Sequence, residues 1–142
     1  MERGLDYTGI LVNTICYDGA GKFLFIKTQN PQGVPKWGFG VITLQFGEEP
    51  EEACVRQLKK DYGCMGTIEH LLGITTLHRK HAERNSHWLV LTYLVHVNPT
   101  DCHLPTPDDP HLSWHFLSDP PKLLHDGTIT ILKHFKPQLP QK

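Results

Sequence analysis

WGFGVITLQFGEEPEEACVRQLKKDYGC, residues 37–64, is the stretch that decides how this chain is read. It predicts a strand, a sharp loop and one helix. Gly38 and Gly40 lie in the strand approach, where a missing Cβ permits bends and close backbone contact. Gly47 breaks the chain before Glu48, Glu49, Glu51 and Glu52, whose charges suit a helix N-terminus. Pro50 suits the first helical turn, where an N–H would have no partner. Ala53, Cys54, Leu58 and Tyr62 recur at helical spacing and form the predicted buried stripe. Gly63 supplies the left-handed stop.

The spacing of Glu48, Arg56, Leu58 and Gly63 resembles the Nudix hydrolases, whose signature is G-x5-E-x7-R-E-U-x-E-E-x-G-U with U a bulky aliphatic residue. The match runs without a gap. The flanking phrases FGEEPEEA and DYGC also look like sequence of that family. The resemblance implies an α/β/α sandwich: a mixed sheet with the signature helix on one face and a C-terminal helix on the other. It covers about residues 7–135, and only 37–64 is specific. It further implies a pocket for nucleoside diphosphate-linked compounds, attacked by water at phosphorus. Mg²⁺ or Mn²⁺ is the implied cofactor if the chain is active, and none otherwise.

The departures bear on function. The signature's first glycine is Ile42, its second glutamate is Gln57, and its last two glutamates are Lys60 and Asp61. On an α-helix, positions 57, 60 and 61 share one face. Three carboxylates there make a hard oxygen site for a divalent cation, which neutralises phosphate oxygens and lowers the pKa of bound water. Gln57 is a neutral ligand and no base. Lys60 brings a cation where a metal would be held, and Asp61 alone keeps its charge. By the resemblance the catalytic positions are Glu48, Arg56, Gln57 and Asp61, with Glu48 and Asp61 the remaining metal ligands. Arg56 is expected to pair with Glu48 or Glu52. On an isolated helix Gln57 and Lys60 would read as ordinary solvated residues; within this spacing they read as a lost site.

Composition sets the frame. The chain has 142 residues, 39% of them hydrophobic, enough for one domain with a real core. Residues 1–142 are expected to form a single domain whose tail, 136–142, frays. The net charge of −1 gives no general attraction to nucleic acid or to an anionic membrane. The four cysteines, at 16, 54, 64 and 102, lack a C-x2-C pair and are expected to be reduced thiols. With no secretory signal pattern and no apolar run of about 20 residues, a cytoplasmic protein is expected.

Outside the signature, 1–6 read as a loose lead-in and 7–17 (YTGILVNTICY) as a strand. A turn at 18–21 leads to a partner strand at 22–28, where Lys27 resembles the family's basic substrate contact; a solvated strand-end lysine is the alternative. Trp37 either lines the pocket or anchors the core, with the core preferred. Residues 65–77 read as a strand, 78–86 as a polar loop and 87–97 as a central strand. Glu83 and His81 in that loop are candidate bases, with an exposed hairpin loop preferred, and Arg79, Lys80 and Arg84 make it basic enough to hold a phosphate. A proline-rich loop at 98–110, a strand at 112–117 and a final helix at 128–135 capped by Asp126 complete the order. His111 and His115 fall on a strand, where four residues span roughly 13 Å at about 3.3 Å each, too far for one metal.

Three readings follow. The first is a nucleotide-like ligand pocket with hydrolysis weak or lost, in which Lys27, Lys60 and Glu83 contact substrate. The second is a working metal-dependent phosphohydrolase using Glu48, Asp61 and a loop base. The third is a non-catalytic interaction scaffold with an empty pocket.

Overall fold

The structure, a computed structural model, describes residues 1–30, 32–80, 85–102 and 110–140. Seven strands form one mixed sheet: β1 (Gly9–Tyr17), β2 (Lys22–Gln29), β3 (Pro35–Gly38), β4 (Val41–Thr43), β5 (Gly66–Lys80), β6 (Asn85–Val97) and β7 (Leu112–Phe116). The order is β3-β2-β1-β6-β5, with β4 added to β1 and β7 to β2. β1 runs parallel to β6 over nine register pairs, Gly9↔Trp88 to Tyr17↔His96. The strand 87–97, predicted to be central, is flanked by β1 and β5 as its apolar run requires.

Helix α1 (Pro50–Gln57) covers one face and α2 (Asp126–Phe135) the other. The pleat sends alternate side chains to opposite faces. Val12 and Cys16 of β1 therefore join Ala53, Cys54, Leu58 and Tyr62 on the α1 side. Leu11 and Ile15 join Ile131 and Phe135 on the α2 side. These two clusters are the core of an α/β/α sandwich.

The sheet is split where the cavity described below opens. β1 and β2 pair only at Tyr17↔Phe23. Beyond that point β1 turns to β4, through Leu11↔Thr43, Val12↔Ile42 and Asn13↔Val41. β2 instead turns to β3 and β7. The strands splay apart and leave a gap floored by β1.

Four expectations need correction. Cys64 and Cys102 form a disulfide, whereas Cys16 and Cys54 are buried free thiols. Antiparallel pairing of Gly66 with Val97 brings the start of β5 to the end of β6, which closes a separation of 38 residues. The lead-in is not loose: Gly4, at φ +80°, lies against the Trp88 ring, where a Cβ would come within 2.1 Å. The strands on either side of the expected 78–86 loop run on to Lys80 and resume at Asn85, so the connection is shorter than predicted. Leu139, in the stretch expected to fray, is buried in the α2-side core. Residues 81–84 fall outside the described residues, and with them His81, Glu83 and Arg84.

Candidate functional site

Helix α1 starts as the sequence dictates. Pro50 occupies the first turn, and the Glu49 N–H donates to the Glu52 carboxylate at 3.0 Å. Arg56 pairs with Glu48 and not with Glu52. Its Nε donates to Oε2 and a terminal nitrogen to Oε1, both at 2.9 Å. The same terminal nitrogen donates to the Thr43 carbonyl at 2.8 Å. The Gln45 N–H reaches Glu48 Oε1 at 3.1 Å. The guanidinium's hydrogen bonds hold the Glu48 carboxyl below its ordinary range, and the Gln45 N–H adds to the effect.

After Gln57 the helix widens into a π turn, Leu58–Tyr62, ended by Gly63 at φ 59°. This changes which residues share a face. A π turn advances by roughly 80° per residue against about 100° for an α-helix, so residue i+4 stays near residue i while i+3 swings away. Asp61 accordingly lines the main cavity. Lys60 is exposed and lines a separate shallow groove with Glu52, Val55, Arg56 and Lys59. The expectation that positions 57, 60 and 61 form one face therefore fails at Lys60.

Gln57 is fully buried. Neither its amide oxygen nor its nitrogen has a hydrogen-bond partner among the described residues. Its Nε2 lies behind Gly40, where a Cβ would stand 3.0 Å from it and 2.6 Å from the Tyr62 hydroxyl. Gly40 adopts φ +81°, so glycine serves both the bend and the approach. Tyr62 in turn donates to the Phe39 carbonyl, which fixes the link between β3 and β4 beside the cavity.

The cavity has a volume of about 300 Å³ and fills the gap between the splayed strands. Leu11, Ile26, Leu77, Val90 and Ile131 make its walls apolar. Asn13 lies on its β1 side and Asp61 at its signature-helix edge. Thr28, Arg79 and His125 stand toward α2. Asn13 is 1% exposed, and both its amide atoms lack a partner among the described residues. A buried amide left unpaired costs about 1–3 kcal/mol. The His125 ring shares a 2.9 Å hydrogen bond with the Thr28 hydroxyl. Burial, joined by the charges of Arg79 and Lys36, lowers the His125 pKa.

Lys27 is not among the cavity residues; its ammonium lies over the Trp37 ring, 5.5 Å from the centroid. Trp37 is half-buried and packs against the α2-side core, in keeping with the anchoring role preferred from sequence.

The donor set does not suit a divalent cation. Glu48 is bound by Arg56 and Gln45, Gln57 is neutral, and Asp61 is the sole carboxylate of the cavity lining among the described residues. Among the described residues no three His, Cys, Asp or Glu side chains gather as a metal group. Among the residues that line the cavity and the space beside it, sequence reasoning missed Asn13, Lys36 and His125. The signal for Asn13 was present: it is a polar residue inside the apolar run GILVNTICY.

No protein-family model and no curated protein matches this sequence. Solved structures do match. The NUDIX domain of Shewanella oneidensis NrtR, complexed with ADP ribose, superposes with a TM-score of 0.73 at 14% identity over 95% of this chain and 90% of that one. The chain has the Nudix hydrolase fold. The MutT NUDIX hydrolase of Burkholderia pseudomallei has a TM-score of 0.66 to it at 23% identity, over 90% of this chain and 98% of that one. A C. elegans Ap4A hydrolase binary complex gives 0.67 at 19%, over 92% and 97%. In this Nudix fold the mixed sheet between α1 and α2 is the sandwich that the resemblance implied. No helix among the described residues is long and apolar enough to cross a membrane.

Proposed function

We propose that this Nudix-fold chain binds a nucleoside diphosphate-linked compound in the cavity between β1 and β2, with metal-dependent hydrolysis weak or lost. The carrying observation is the fate of the signature carboxylates. Glu48 is held on both oxygens, position 57 is a buried amide, and position 60 is an exposed lysine outside the cavity lining. One carboxylate, Asp61, is left at the cavity edge. A single carboxylate leaves most of a divalent cation's coordination to water. Nucleotide-like ligands are supported by the fold neighbours, one of which is complexed with ADP ribose and another of which is an Ap4A hydrolase. Apolar walls with a few polar groups fit a planar ring.

The test is product formation by chromatography with nucleoside triphosphates, dinucleoside polyphosphates and nucleotide sugars, in Mg²⁺ or Mn²⁺ and in chelator. The variant with Gln57→Glu and Lys60→Glu runs beside the natural chain. Little or no turnover by the natural chain, with binding seen by thermal shift, is the expected result. Chelator-sensitive turnover by the natural chain at ordinary enzymatic rates overturns the proposal and favours the phosphohydrolase reading. A chain that shifts with no nucleotide favours the scaffold reading.

A further inference from the structure

The cavity does not end at α2. Asn30, Leu77, Arg79, His125, Gly127 and Thr130 line both it and a polar groove outside it, so the two spaces are continuous. The groove adds Lys36, Lys80 and His78. Among the described residues of its lining, three permanent cations, Lys36, Arg79 and Lys80, face one carboxylate, Asp126. The N-terminus of α2, a helix of ten residues, opens there, and Gly127 carries no side chain to cover it. Backbone N–H groups and the helix dipole favour an anion at such a place.

The inner end has the opposite character. Thr92 is the register partner of Asn13 across the parallel β1–β6 pair. Asn13 alternates with Leu11 and Ile15, and Thr92 with Val90 and Leu94, so both point to the α2 side of the sheet. The Thr92 hydroxyl is fully buried and, like both amide atoms of Asn13, has no partner among the described residues. A carboxamide offers a donor and an acceptor side by side, the complement of a nucleobase edge. Buried polar groups are almost always hydrogen-bonded, so an unpaired amide at the floor of a cavity marks where a ligand's polar edge belongs.

We propose that the ligand enters ring-first: its heterocycle lies between the apolar walls with its edge on Asn13, and its phosphates lie in the outer groove among Lys36, Arg79, Lys80 and the α2 N-terminus. This rests on the nucleotide reading above and adds an orientation to it. The orientation carries the phosphorus atoms away from Asp61 and the signature helix. Carboxylates at 57 and 60 then have no phosphate to serve, which accounts for their replacement together.

Binding of ADP, GDP, UDP, CDP and inorganic pyrophosphate to the full chain, measured by calorimetry in chelator, tests the proposal. The natural chain is compared with Asn13→Leu, Thr92→Val, Arg79→Glu and Lys60→Glu. The expected result is that at least one nucleoside diphosphate binds, and binds more tightly than pyrophosphate. Asn13→Leu should weaken it about tenfold or more while raising the Tm of the free protein, because an unpaired buried amide is replaced by an apolar side chain. Thr92→Val, close in shape, keeps this arm readable if Asn13→Leu fails to fold. Arg79→Glu should weaken binding about tenfold, and Lys60→Glu should change it less than twofold. Binding lost with Lys60→Glu and kept with Arg79→Glu overturns the orientation and leaves the nucleotide reading standing. Lowered Tm with unchanged affinity in Asn13→Leu and Thr92→Val makes these residues a structural pair and overturns the ring contact. If none of the probes binds, the nucleotide reading falls and the orientation falls with it.

Discussion

Arg56 grips Glu48 through two nitrogen–oxygen contacts of 2.9 Å, one to each carboxylate oxygen, and spans eight residues to do so. The pair closes the loop before α1 onto the helix itself, and the bond to the Thr43 carbonyl ties both to β4. The Glu48 carboxylate therefore serves the fold, holding the loop before α1 to the helix.

Arg56→Ala should lower the Tm by a few degrees and free the Glu48 carboxyl to titrate in its ordinary range. In the natural chain its pKa is held low, so this pair's stabilisation is present above pH of about 4.3 and is lost as pH falls through the lowered value. Urea midpoints from pH 2.5 to 7 for both proteins check this. Curves that stay parallel would show that the contact contributes nothing.

Gln57→Glu places a carboxyl in a fully buried position beside Gly40 and Tyr62. Burial without a partner disfavours the charged form and raises its pKa. The single variant should lose about 1–3 kcal/mol at neutral pH and regain part of that on acidification. Thermal melts at pH 5 and pH 8 read the difference, and Mn²⁺ should raise the Tm of the variant more than that of the natural chain. Lys60→Glu, at an exposed position, should alone leave the Tm within about a degree.

The Cys64–Cys102 disulfide closes 38 residues, including the β5–β6 hairpin. Its chain-entropy effect is about 4 kcal/mol by loop length. A dithiol reductant, or Cys102→Ser, should lower the Tm of the oxidised protein by about 5–15 °C. Thiol titration in denaturant should count two free thiols in the oxidised chain, Cys16 and Cys54, and four after reduction. Four thiols before reduction, with no change in Tm, would show that the bond is not formed.

His125 has its pKa lowered by burial and then by the charges of Arg79 and Lys36. Below its ordinary value of about 6.5 the unfolded chain takes up this proton before the folded chain does, so His125 makes the protein less stable as pH falls. His125→Gln should flatten that part of the curve below about pH 6.5. The difference between the urea midpoints of the two proteins, read across that window, isolates the effect from the other histidines.

Much of the fold was legible because its causes are local. Pro50, the glutamates before it and Gly63 set the ends of the signature helix, and the spacing of Ala53, Cys54, Leu58 and Tyr62 set its buried side. The apolar run of 87–97 announced a strand with neighbours on both sides. The alternative partners of Arg56 could not be separated, because the choice depends on how the loop before α1 folds back onto the helix and brings Glu48 to the guanidinium. The π turn was also invisible, and it separated Lys60 from Asp61, which lines the cavity.

The sequence by itself determined the helix that begins at Pro50 and stops at Gly63, with its ends and its buried side, since these follow from residue type and spacing along one short stretch, and the resemblance of that stretch to the Nudix hydrolases implied the sandwich. The tertiary structure alone decided where the cavity opens, that Asn13 lines it without a partner, that Arg79 and Lys36 stand near His125 at its outer end, and that Cys64 meets Cys102. Each of these depends on strands distant in sequence being brought side by side. The splaying of β1 from β2 is settled by the separate partners each strand takes, β4 for β1 and β3 and β7 for β2, which no local periodicity encodes.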